Sequence, residues 1–262
     1  MTTLLAALAL AGRDLRGVAR SRSQLYSSMF TPLLLLVFLG TGVSEGLEPA
    51  NLPAGDFTAY LVAGVVVMTC VFSSTFASAS FYRDRDSGML RLLYASPLRP
   101  EALLVGKSLA GVLIGTVQGL VVMLAAAPFV DFAWQYSVVG GVVIAIAAIA
   151  VLNVLLAGTA QLFASRIQTM QGFHLVMNLA LFPLLFFSGA FFPLEDLPLW
   201  LRLLAFVNPL TYAVDALLLA AYADSTAGFF GLALDFAVLV ALSIALFAAG
   251  TRLKPRLTWS GV

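Results

Sequence analysis

The chain has 262 residues, 61% of them hydrophobic and only 10% charged, with a formal net charge of +1. A soluble domain sits nearer half apolar and a quarter charged, so a water-soluble globule is excluded, and the near-neutral balance argues against a nucleic-acid partner. The single cysteine, Cys70, excludes an intrachain disulfide and a cysteine-based metal cluster.

The N-terminus has an apolar stretch, Leu4 to Ala11, followed by Arg13, Arg16, Arg20 and Arg22. A signal peptide has the opposite order, positive first and apolar second. A helix lying in the membrane interface, arginines toward the cytoplasm, fits better. Continuous apolar runs then follow, several of them long enough for a spanning helix of about 20 residues and the first one short, and none alternates as barrel strands do. The predicted spans are Ser28–Val43, Phe57–Phe81, Ala102–Pro128, Tyr136–Ser165, Phe173–Phe192 and Phe229–Gly250. No repeat, low-complexity tract or linker divides the chain, so residues 1–262 read as one transmembrane domain.

Between the second and third spans lies "FYRDRDSGMLRLLYASPLRP", dense in charge for so apolar a chain. Ser87 is a candidate helix cap. Met89, Leu90, Leu92, Leu93 and Tyr94 surround Arg91, and Pro97 and Pro100 end the helix. In one reading the arginines simply hold the loop inside while the leucines rest on lipid. In the other this is a docking helix for a cytoplasmic partner.

Six spans place both termini on one side. Arg13, Arg16, Arg20, Arg22, Arg83, Arg85, Arg91, Arg99, Lys107, Arg166, Arg252, Lys254 and Arg256 then share that side, which the positive-inside rule makes the cytoplasm. Only Arg202 falls outside. The opposite loops carry Glu45, Glu48, Asp56, Asp131, Glu195, Asp196 and Asp224. The stretch after the fifth span is apolar but broken at Pro193, Pro198 and Asn208-Pro209. Leu197–Val207 would make a helix of roughly 16 Å, half a bilayer. A re-entrant pair of short helices in the outer leaflet keeps the basic tail inside, and its ends need burial in protein. That expectation places the pair against the last two spans. Arg202 is then a candidate partner for Asp215 or Asp235, and Tyr212 follows the Asn-Pro break.

Two stretches resemble a known family. "SGMLRLLYASPLRPEALLVGKSLAG" is similar to the coupling region of ABC-2 type export permeases. "FFSGAFFPLEDLPLWLRLLAFVNPLTYAVDALL" is similar to that family's second hallmark, an Asn-Pro-Leu-Thr-Tyr after a short external helix. The alternation Arg83-Asp84-Arg85-Asp86 departs from the acidic residues usual before the coupling helix. The resemblance implies a permease that pairs with a separate ATPase subunit, which would bind ATP and Mg, while this chain binds no cofactor. It also implies a second permease copy, a homodimer being favoured. Residues 83–86, Gly88, Met89, Leu90, Arg91, Leu92 and Leu93 would form the coupling surface. Gly106-Lys107-Ser108 mimics the end of a phosphate-binding loop, but Glu101 stands where the first glycine belongs. Lys107 reads instead as an interfacial anchor reaching the headgroups.

Hydroxyls on the second span, with Ser73, Ser74 and Ser78 foremost, either pack closely against neighbours or line a substrate path. Phe182, Phe186 and Phe187 either face lipid or gate the seam between two copies. The readings converge on an all-α membrane protein with six transmembrane helices, an N-terminal interfacial helix, a cytoplasmic coupling helix and an external re-entrant hairpin. The resemblance implies that it sits in the plasma (inner) membrane, contacts membrane lipids and exports a small hydrophobic or amphipathic compound such as a drug or natural product. A lipid-linked glycan or lipid is the second cargo reading. A membrane-embedded enzyme would need paired ionisable groups at membrane depth. A passive channel or ion-coupled carrier would not need a basic docking helix.

Overall fold

A computed structural model describes residues 2–44, 56–95, 100–134, 137–194, 197–222 and 228–252. Outside them lie Glu45, Glu48, Glu195, Asp196 and Asp224, the break at Ser96-Pro97-Leu98 with Arg99, and Lys254 and Arg256. The described residues form helices α1 (Thr2–Arg20), α2 (Arg22–Ser44), α3 (Phe57–Asp86), α4 (Met89–Ala95), α5 (Pro100–Ala126), α6 (Val138–Ala164), α7 (Met170–Phe186), α8 (Leu199–Val207), α9 (Pro209–Ala221) and α10 (Leu232–Arg252). Among them there is no β-strand, only an isolated backbone bridge between Ala133 and Tyr222.

Several helix starts are capped as their sequences dictate. The Asp56 carboxylate accepts from the amides of Thr58 and Ala59 at 3.1 and 3.3 Å. Ser137 and Thr169 accept from Gly140 and Gly172, opening α6 and α7. By length and composition α3, α6, Ala102–Ala126 of α5 and Leu232–Gly250 of α10 can cross a membrane. The pair α8 and α9, bent by 88° at Asn208, would make a fifth span if counted as one. The apolar stretch Tyr26–Gly42 of α2 and all of α7 are shorter.

α3 is the axis of the molecule. Its most apolar window is 78% buried, against 39% for α5 and α6 and 17% for α10. α2, α5, α6 and α9 pack around it, α1 lies along α5, and α10 lies along α6. Small residues set the closest crossings. A Cβ on Gly106 would stand 2.7 Å from the carbonyl oxygen of Ala7, and one on Gly158 2.8 Å from the amide nitrogen of Phe247.

Three element ends differ from expectation by five residues or more, one of them the start of α2 at Arg22 rather than Ser28. α3 continues to Asp86 rather than stopping at Phe81, because residues 82–86 are held by neighbouring elements on both sides. α7 ends at Phe186 rather than 192: Pro183 sits in its last turn, and Gly189 at φ 78° turns the chain. The pair α8 and α9 also seats differently. α9 is buried mainly against α6 and α10 and touches α7 less, while α8 leaves Leu199, Trp200, Leu203 and Val207 exposed.

Candidate functional site

Residues 83–93 are built as a short rod standing on a fixed base. Ser87 does not open α4. It closes α3, its amide donating to the Arg83 carbonyl and its hydroxyl to the Asp84 carbonyl. Gly88 then turns the chain at φ 73°, a left-handed backbone that suits glycine. Its carbonyl accepts from Arg91 and Leu92, starting α4. Seven residues are too few for a helix to hold by itself in water, so packing must hold it. Leu90 supplies the anchor: it is fully buried against the core, worth about 2 kcal/mol. Leu93 also turns inward and packs on the core. Met89 and Leu92, one turn apart, are 39% and 68% exposed. Arg91 is exposed between them. The outward apolar pair is therefore Met89 and Leu92, with Leu93 on the inner side.

The charged run before the rod splits by direction. Arg83 and Asp86 are exposed. Asp84 turns inward and is ion-paired with Arg13 of α1 and with Lys107 of α5, the latter at 2.6 Å. Lys107 also reaches Asp14 at 3.2 Å, and Arg13 reaches Asp14 at 2.9 Å. Ser80 completes the group, its hydroxyl 3.4 Å from Asp14. The four charges cancel, and the Lys107 and Asp14 side chains are only 9% and 8% exposed. Lys107 is therefore engaged in ion pairs inside the protein rather than reaching outward. Partial burial opposes the charge on Arg13, but its hydrogen bonds to Asp84 and Asp14 outweigh that and raise its pKa. On the opposite side Arg85 donates to the Gln168 carbonyl at 2.7 Å, and the Tyr82 hydroxyl donates to the Ile167 carbonyl at 3.2 Å. The end of α3 is thus fastened to α1, to α5 and to the turn between α6 and α7.

The hydroxyl candidates divide. Ser74 and Ser78 line a half-open pocket of ≈ 60 Å³ with Ser80, Lys107, Ser108 and Gln161. The Gln161 amide donates to Ser108 and to the Leu104 carbonyl, while its side-chain carbonyl is buried without a donor. Ser73 faces another side of α3, near Ser28 and Gln118. Phe182 packs edge-on against Phe72 at 5.7 Å, Phe186 lies 5.2 Å from Phe191 and is 54% exposed, and Phe187 ends α7.

In the α8–α9 hairpin Asn208 accepts from the Leu210 amide, donates to the Leu184 carbonyl, and so ties α9 to α7. Pro209 occupies the first turn of α9, where it lacks only a surplus donor. The Tyr212 hydroxyl donates to the Phe206 carbonyl at 2.7 Å, and Arg202 donates to the carbonyl of Leu194, which follows Pro193. Asp215 is not held by Arg202. Its two oxygens accept from the amides of Phe229 and Phe230 at 2.6 and 2.8 Å, just before α10.

Sequence reasoning missed Asp14 and the true partners of Lys107. The signal was present: Asp14 falls on the stripe Ala7, Leu10, Ala11 and Val18, which is the buried face of α1. It also missed Asn153, a buried amide on α6 that donates to the Ile149 carbonyl and to Cys70.

The family model for the ABC-2 type transporter matches residues 6–222. The chain is 25% identical over 164 residues to the probable multidrug ABC transporter permease YbhR of Escherichia coli (strain K12), covering 62% of this chain and 44% of that protein. It is 26% identical over 235 residues to the daunorubicin resistance ABC transporter permease protein DrrB1 of Streptomyces coeruleorubidus, covering 86% and 77%. To Nodulation protein J of Rhizobium leguminosarum bv. viciae it is 22% identical over 195 residues, covering 74% and 73%. The chain thus spans less than half the length of YbhR.

Proposed function

The chain belongs to the ABC-2 type transporter family, and from that premise we propose that it is the membrane permease of an ATP-driven exporter, moved by a separate ATPase subunit. The supporting observation is the α4 rod. It presents Met89, Arg91 and Leu92 outward, is anchored by Leu90, and stands on a neutralised ionic base joined to α1 and α5. An element built this way transmits a push. ATP and Mg belong to the partner, and two permease copies enclose the path.

The topology we favour has six crossings, α2, α3, α5, α6, α7 and α10, with α2 and α7 the short ones. α1 lies in the inner interface, and α8 and α9 dip in from outside. The sorting of basic residues onto one side supports cytoplasmic termini in the inner membrane. The cargo in this reading is a small hydrophobic or amphipathic compound. The names of YbhR and DrrB1 support it, as does a pocket at Ser74 and Ser78 that mixes hydroxyls with apolar walls.

The test is co-purification of the tagged chain with its cognate ATPase. Met89→Asp with Leu92→Asp is expected to abolish association while membrane insertion and yield stay normal. Undiminished co-purification of that double variant would overturn the docking role.

A further inference from the structure

The structure assigns a proton-binding site to the Asp215–Asp235 pair, where α9 meets the start of α10. Both residues are 0% exposed. Asp215 is a carboxylate seated among backbone amides, accepting from Phe229 and Phe230. Asp235 lies against it, the two side chains within hydrogen-bonding contact. Yet among the described residues no N–H or hydroxyl donor reaches either oxygen of Asp235. Two ionised carboxylates offer each other only acceptors. A proton on Asp235 converts the contact into an O–H···O⁻ bond, gives the orphaned carboxyl its partner, and removes one of two buried like charges.

Among the described residues the surroundings supply no cation to do this instead. From α3, Tyr60 donates its hydroxyl to the Gly189 carbonyl. From α9 itself, Tyr212 donates to Phe206, and from α8, Arg202 donates to Leu194. Asp56 caps α3. α6 carries no Asp, Glu, Lys, Arg or His, and the His174 of α7 sits in its first turns, at the end away from the hairpin. Arg252 closes the far end of α10. No neighbouring cation therefore competes with a proton for Asp235. With the proton bound, α9 is latched to α10. With it lost, two negative charges face each other across that joint.

This inference does not depend on the transport reading. Its test uses the full chain in nanodiscs. Infrared spectra at neutral pH are expected to show the carbonyl stretch of an un-ionised carboxylic acid, absent in Asp235→Asn and retained in Asp56→Asn. Dicyclohexylcarbodiimide, which attacks un-ionised carboxyls in apolar surroundings, is expected to label Asp235. Labelling should fall about tenfold per pH unit once the site titrates. The thermal midpoint of the native chain should drop as pH rises. Asp235→Asn, which offers Asp215 an N–H of the same shape, should hold its midpoint. A native spectrum without the un-ionised band overturns the proposal, even if the variant fails to fold. So does an equal alkaline loss in Asp235→Asn, or stabilisation by Na⁺ or Ca²⁺ showing that a metal cation fills the site.

Discussion

Lys107 closes the ionic base, and its replacement is the sharpest single-residue test of that base. It contacts Asp14 and Asp84 and is 9% exposed. Removing one partner of a buried pair leaves the other charge stranded, at a cost of about 3 kcal/mol. Lys107→Met is expected to lower the thermal midpoint in nanodiscs. Arg13→Gln should cost less, about 1 kcal/mol, because that side chain is 36% exposed. The double variant Lys107→Met with Asp84→Asn should lose less than the sum of its singles, since the two residues share one bond. Additive losses would show that the cluster is not a unit.

At the scale of elements, α4 is a helix whose identity comes from one leucine. Leu90→Ala empties a fully buried position, and such truncations cost about 2–5 kcal/mol. Because α4 is short and held from one side, the loss should appear locally. Hydrogen exchange in residues 89–95 should quicken by at least tenfold, while α3 stays protected. Leu92→Ala, at an exposed position, should leave exchange unchanged. The α6–α10 crossing is controlled by Gly158. Gly158→Val would force its side chain into the Phe247 backbone, where even a Cβ stands at 2.8 Å. Folded yield should fall sharply. Gly17→Ala, with nothing within 4 Å of the added methyl, should be silent.

For the whole molecule the question is which side each end faces. Cys70 is fully buried and is the only cysteine, so a Cys70→Ala background is free of thiols. In that background Arg91→Cys should react with a membrane-impermeant maleimide only from the cytoplasmic side, and Trp200→Cys only from outside. Both sites are exposed, so reaction from the wrong side would overturn the six-crossing topology and the docking role of α4 together.

By itself the sequence determined that the chain is helical, apolar enough for a membrane, and punctuated by a charged rod and a Pro-broken hairpin. Those features are local. They follow from unbroken hydropathy, from caps such as Asp56, Ser137 and Thr169, and from proline's missing amide, each readable within a few residues. Only the tertiary structure decided which charges face which. Asp84 and Lys107 are 23 positions apart and Asp14 and Lys107 93 apart, so no spacing rule joins them. Leu90 and Leu92 differ in no property a sequence displays, yet one is buried because the end of α3 is pinned on both sides. Asp215 accepts from backbone amides and faces Asp235 because α9 packs against α10. Side-chain partners across a helical bundle are set by the packing of distant surfaces, and that is information a linear pattern does not carry.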